Sequence, residues 1–129
     1  MSLLFTSRIG FNVRVETKAG EAAGFTDEAY KKVGCTIAGT QDIWENSEII
    51  VKVRAPEYNN NLGYDEADAL SNTKLLISYI YPGQHPELLN KLVNNKPNLT
   101  VFALDCTPRI TRAQKLDTLS SMANLAGYR

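Results

Sequence analysis

The 129 residues carry 14 Lys and Arg against 14 Asp and Glu, so no bulk charge directs the chain to nucleic acid or an anionic membrane. A hydrophobic content of 43% suffices for an ordinary globular core in one domain, and no apolar run reaches the length of a membrane span. Two cysteines without a C-x-x-C spacing exclude a disulfide-dense scaffold and are read as buried free thiols, Cys35 and Cys106.

In chain order, Met1, Ser2 and Leu3 read as an added start, and residues 4–9 as the tail of a helix stopped by Gly10. FNVRVE, residues 11–16, alternates apolar and polar side chains and predicts a strand. Gly20 and Gly24 mark the turn after it. No G-x-G occurs among the eight glycines, so this turn lacks a dinucleotide fingerprint and is structural. Thr26 is the N-cap of a helix over TDEAYKKVG, with acidic residues in its first turn, Lys31 and Lys32 in its last, and Gly34 as its stop. CTIA, residues 35–38, is a short strand, and residues 40–45 around Trp44 form a short helix. EIIVKVRAP, residues 48–56, predicts a buried strand ending at Pro56, with Lys52 and Arg54 on one face near its carboxyl end. An asparagine-rich loop then leads to a short acidic helix over residues 65–70.

KLLISYIYPG, residues 74–83, is the next strand. Pro86 starts the helix PELLNKLVNN, and His85, the single histidine, is a solvated loop residue. LTVFAL, residues 99–104, returns to the sheet. Strands alternating with helical connections predict an α/β fold: an open, mainly parallel sheet with helices on both faces, flavodoxin- or Rossmann-like.

Residues 107–129, TPRITRAQKLDTLSSMANLAGYR, follow that last strand, where open α/β sheets hold their ligands. Pro108 cannot continue a ladder. Arg109 offers a planar donor fork, and Gln114 has an acceptor and two donors, a pair suited to a flat carboxamide or a carboxylate. Asp117 and Ser120, three apart, share a face of the helix over residues 116–126. Small residues follow, from Ser121 to Gly127, and permit close approach of another surface. A plainer reading stands beside this one: Arg109, Arg112 and Lys115 as a solvated basic edge, Asp117 as a helix N-cap, and the small residues as a packing stripe. No cluster has metal-ligand spacing.

The run PRITRAQKLDTLSSMANLAGYR resembles the signature of the NAD(H)-binding component of proton-translocating NAD(P) transhydrogenases, the alpha subunit or its equivalent in a fused chain. GFTDEAYKKVGCTI, EIIVKVRAPE and SYIYPGQHPELLNKL resemble the same family, so the likeness runs from about Gly10 onward. Alanine dehydrogenases are similar across this region. In them a lysine and a histidine serve pyruvate, and the matching positions here hold Arg54 and Tyr81. Tyrosine does not replace a histidine that titrates near neutrality, nor is arginine neutral for lysine at a tight carboxylate site. The resemblance therefore favours transhydrogenase.

It implies a parent enzyme that moves hydride between NAD(H) and NADP(H), coupled to proton translocation. NADP(H) would sit on a partner component, a membrane proton-channel component would complete the assembly, and the parent would be a homodimer. This chain would be a soluble segment of an enzyme associated with a bacterial inner membrane or a mitochondrial-type organelle membrane, with no nucleic-acid partner. The resemblance sets Arg109, Gln114, Asp117 and Ser120 around the nicotinamide end of NAD(H). Gln114 would hold the carboxamide or the facing nucleotide, Asp117 and Ser120 would fix loop and ring geometry, and Arg109 would lie close to the ring. No acid–base catalyst and no metal is implied.

As a single domain over residues 1–129, the chain is expected to be an N-terminal subdomain fragment truncated at both ends. It would lack the family's first strand and its Rossmann NAD domain, and be inactive alone. Two other readings stay open: the substrate-domain fragment of an alanine dehydrogenase-like amino-acid dehydrogenase, and a non-catalytic module whose loop packs against another domain.

Overall fold

A computed structural model describes residues 10–108, 110–113 and 117–128. Strand β1 (Arg14–Glu16) pairs in parallel with β2 (Thr36–Ala38), Arg14 opposite Thr36. Between them a 3-10 turn (Glu21–Ala23) leads to helix α1 (Asp27–Lys32), whose N-cap Thr26 accepts a hydrogen bond from the Ala29 N–H at 3.3 Å. Gly20 is buried where this turn folds back, because Phe25 donates its N–H to the Gly20 carbonyl at 2.9 Å. Gly24 follows with φ 79°, the left-handed region that a side chain disfavours. Both glycines serve the turn, as their spacing predicts.

Helix α2 (Thr40–Asn46) faces both halves of the molecule. Thr40 Oγ1 donates to Glu16 on β1 at 2.6 Å and Arg14 pairs with Asp42 at 2.9 Å, while Trp44 enters the main core. Strand β3 (Ile49–Val51) is followed by a small antiparallel hairpin of β4 (Tyr58–Asn59) and β5 (Tyr64–Asp65). Helix α3 (Glu66–Ala69), β6 (Leu75–Ser78), α4 (Pro86–Asn95), β7 (Thr100–Ala103) and α5 (Thr118–Gly127) complete the described order.

The main sheet runs β3-β6-β7, all parallel, with Ile50, Leu76 and Val101 in register. Its core face gathers Ile50 and Leu76 with Trp44, Ala67, Leu70, Ile80 and Leu92, so α2, α3 and α4 all pack there. Removing each large apolar side chain from water contributes about 1.5–3 kcal/mol.

The parallel α/β class is the predicted one, but several particulars differ. Among the described residues the parallel strands form two separate sheets, with no pairing between β1–β2 and β3–β6–β7. The segment 48–56 is not a long buried strand. The ladder closes with the Lys52 N–H on the Ile77 carbonyl, the chain bends at Val53 and Arg54, and Ile49 and Val51 are 44% and 72% exposed. That bend ends the alternation, so half-buried Lys52 turns to buried Glu66 while Arg54 is exposed. The hairpin within the asparagine-rich loop is an addition to the predicted elements. Cys35 is buried as expected, but Cys106 is exposed, because it lies past the end of β7 in a 3-10 turn. The helix tail expected over residues 4–9 falls outside the described residues.

Candidate functional site

Because β3, β6 and β7 run the same way, their carboxyl ends share one rim, and the residues just beyond them come together. Buried Ser78 closes the end of β6 against the chain leaving β3 by donating its hydroxyl to the Arg54 carbonyl at 2.7 Å. Tyr79 N–H reaches the Val53 carbonyl at 3.2 Å. Two residues later the backbone of Tyr81 takes φ 49°. That left-handed conformation costs a non-glycine residue on the order of 1–2 kcal/mol, so something must hold it.

Asp105, just past β7, does so. One carboxylate oxygen accepts the Ile80 N–H at 2.8 Å and the other accepts the Tyr81 N–H at 3.1 Å. In the conformation so fixed, the Tyr81 ring stacks on Tyr79, with centroids 5.8 Å apart and planes within 12°. Tyr79 is buried and donates its hydroxyl to Thr118 Oγ1 at 2.6 Å, tying the rim to the first turn of α5. Tyr81 remains 41% exposed, an aromatic face at the mouth of the rim.

The start of α5 is built by Asp117. This buried N-cap accepts the Leu119 N–H at 3.1 Å and the Ser120 N–H at 3.3 Å, and the Ser120 hydroxyl donates to its second oxygen at 2.5 Å. The predicted pair Asp117 and Ser120 is therefore brought together, by N-cap geometry. Asp117 thus shapes the helix start through its hydrogen bonds. Arg109 and Gln114 lie outside the described residues. At the root of the loop, the Thr107 hydroxyl is buried without a hydrogen-bond partner among the described residues.

Arg54 and Tyr81 both stand on this rim and both are exposed. His85 is exposed too, beside an open groove of about 660 Å³ shared with Pro56, Asp65, Gln84, Glu87 and Lys91. Lys91 is held there by Asp68 at 2.8 Å and Asp65 at 3.0 Å, and those hydrogen bonds raise its ammonium above its ordinary value. Partial desolvation, then the neighbouring Asp105 charge, raises the Cys106 thiol above its ordinary value. A raised pKa leaves less of the reactive thiolate at any given pH. Among the described residues no group of His, Cys, Asp and Glu could hold a metal ion, and no helix is long and apolar enough to cross a membrane.

Sequence reasoning missed Asp105, Tyr79 and Thr118. The available signal for Asp105 was its place directly after LTVFAL, at the carboxyl end of a parallel strand. Its partners are 24 and 25 residues away in sequence, and nothing local points to them.

A family model described as Alanine dehydrogenase/PNT, N-terminal domain, matches residues 4–126. The chain is 45% identical over 129 residues to the NAD(P) transhydrogenase subunit alpha of Cereibacter sphaeroides, covering 99% of this chain and 23% of that protein. It therefore spans about a quarter of that relative's length. A crystal structure of transhydrogenase from Sinorhizobium meliloti matches with a TM-score of 0.84 at 34% identity, covering 98% of this chain and 36% of that one. A structure of L-alanine dehydrogenase matches less well, with a TM-score of 0.66 at 30% identity, over 80% of this chain and 26% of the other.

Proposed function

Because this chain belongs to the family of alanine dehydrogenase/PNT N-terminal domains, we propose that it forms the nicotinamide-side wall of an NAD(H) site in a transhydrogenase alpha subunit. The parent then transfers hydride between NAD(H) and NADP(H), coupled to proton translocation. One observation carries the reading. The segment after β7 leaves the carboxyl rim and enters α5 at Asp117 and Ser120, with Tyr79 holding Thr118 beside them.

The rim fits a pyridine head. Exposed Tyr81 supplies an aromatic face, and the Asp117–Ser120 cap fixes the polar side of the approach. In the proposal Gln114 holds the carboxamide or the facing nucleotide, Arg109 lies close to the ring, and Asp117 and Ser120 set the loop's shape. NAD(H) supplies the redox chemistry when bound. The protein's share is to hold two rings in near contact and keep them dry, which needs no acid, base or metal.

Pyrophosphate and ribose contacts come from a Rossmann domain elsewhere in the parent. NADP(H) sits on a separate component, a membrane component carries the protons, and the parent is a homodimer at a bacterial inner or mitochondrial-type membrane. Arg54 and Tyr81, where alanine dehydrogenases use lysine and histidine, support this reading over an amino-acid dehydrogenase. Titration of NADH into the 129-residue chain tests the division of the site. Weak binding without turnover is expected, and submicromolar affinity would overturn it.

A further inference from the structure

We propose that the outward face of the β3–β6–β7 sheet seats one amphipathic helix, supplied by the full-length parent from outside residues 1–129. On each strand the side chains that alternate with the core point to this face. The parallel register lines them up, Ile49 beside Leu75 and Thr100, and Val51 beside Ile77 and Phe102. None of these residues is charged. Ile49, Val51 and Phe102 are 44%, 72% and 41% exposed, with half-buried Leu75 and Ile77 between them. The seat lies on the face of the sheet, away from its carboxyl rim, and stands whether or not that rim binds NAD(H).

Topology explains why the crossovers of this segment leave that face open. Strands β3, β6 and β7 follow one another across the sheet in chain order, and right-handed crossovers that advance in one direction stay on one side. Helices α3 and α4 belong to those crossovers, and both pack with α2 against Ile50 and Leu76. Parallel sheets occur with both faces covered. Cover for the second face therefore comes from an element that these connections do not contain.

The size of the face selects the occupant. Three strands about 4.8 Å apart, with three residues of about 3.3 Å rise on each, make a field roughly 10 Å on a side, the diameter of one helix. A helix with apolar residues at i, i+3, i+4 and i+7 presents a stripe of that width. A stable dimer buries about 800 Å² per partner, several times this field, so a second copy would be poorly held. A helix tethered within the same polypeptide needs less area, because linkage gives it a high effective concentration. The matched relatives are much longer than this chain, which leaves residues in the parent to form it.

The test uses the full-length parent with the photocross-linker p-benzoylphenylalanine in place of Phe102. After irradiation, the product is sized on a denaturing gel and its bridged peptides are read by mass spectrometry. A bridge to a helical segment outside residues 1–129, in a product that runs as one chain, is the expected result. A product of two chains would make the face an interface between copies. That outcome, a bridge to residues 1–9, or no bridge at all overturns the proposal. Val51→Thr in the same parent gives a second reading, because it keeps the β-branched shape and adds only a hydroxyl. Under a helix that hydroxyl is buried without a partner, and the unfolding midpoint should fall by about 2 °C or more. On an open face the change is neutral, and a midpoint equal to wild type overturns the proposal even where the Phe102 replacement does not fold.

Discussion

Glu66 is the most consequential charged residue that the sequence leaves looking ordinary, and Glu66→Ala is expected to cost about 3–5 kcal/mol of stability. Its side chain is 4% exposed and takes the Lys52 ammonium, the Glu57 N–H at 3.1 Å and Asn59 Nδ2 at 2.8 Å. Two of these donors are neutral groups, and each left unsatisfied in a buried site costs about 1–3 kcal/mol. Lys52 adds less than a buried cation would. It is 25% exposed, lies 5.5 Å from the Trp44 ring centroid, and can turn toward water. Glu66→Gln keeps one acceptor and removes the charge, and should cost about 1–3 kcal/mol, while Lys52→Met strands the buried Glu66 carboxylate without its counter-ion and should cost more than Glu66→Gln. Urea unfolding measures these differences as shifts in midpoint at constant slope. Glu66→Ala within about 1 kcal/mol of wild type would refute the reasoning, because the carboxylate would then not be the hub joining β3, the hairpin and α3.

Gly20→Ala should lose about 1–3 kcal/mol, since a Cβ would meet the Tyr30 hydroxyl and lie 2.8 Å from the Phe25 carbonyl oxygen. Gly83→Ala, with nothing within 4 Å, is the near-neutral control, and equal thermal midpoints for the two would contradict the crowding at Gly20. Asp117→Ala should cost about 1 kcal/mol as a lost N-cap and fray α5, read as faster amide exchange at Leu119 and Ser120. Cys106 should alkylate with a pH midpoint above that of a free thiol, because a raised pKa leaves less thiolate at any given pH. Asp105→Asn should lower that midpoint by removing the adjacent charge, and a midpoint at or below the free-thiol value in the native chain would count against this environment.

Much of the fold was legible because local chemistry and tertiary packing agree. Pro86 at the first helical position sets the start of α4, Thr26 caps α1, and LLIS and TVFA fall inside the predicted strands. The errors lie where context decides. Ile49 and Val51 carry strand chemistry, but their sheet face has no cover among the described residues, so apolar character did not mean burial. Glu66 belongs to an acidic run that suggests a solvated helix, yet its partners come from residues 52, 57 and 59 and draw it inside. The hairpin escaped because its strands are two residues each, too short to show alternation. At the site, Asp117 and Ser120 were legible from a three-residue spacing, although their contact arises from capping. Asp105 acts across the rim on backbone groups, which have no side-chain signature, so spacing could not reveal it.

The central claim is that the segment after β7 orients a nicotinamide ring. Single-turnover hydride transfer from NADH in the full-length parent carrying Gln114→Ala tests it most directly. The expected result is a rate lowered by about 10–100-fold with the unfolding midpoint unchanged. A full wild-type rate, or a loss that merely follows lowered stability, would contradict it and leave the loop as a packing element.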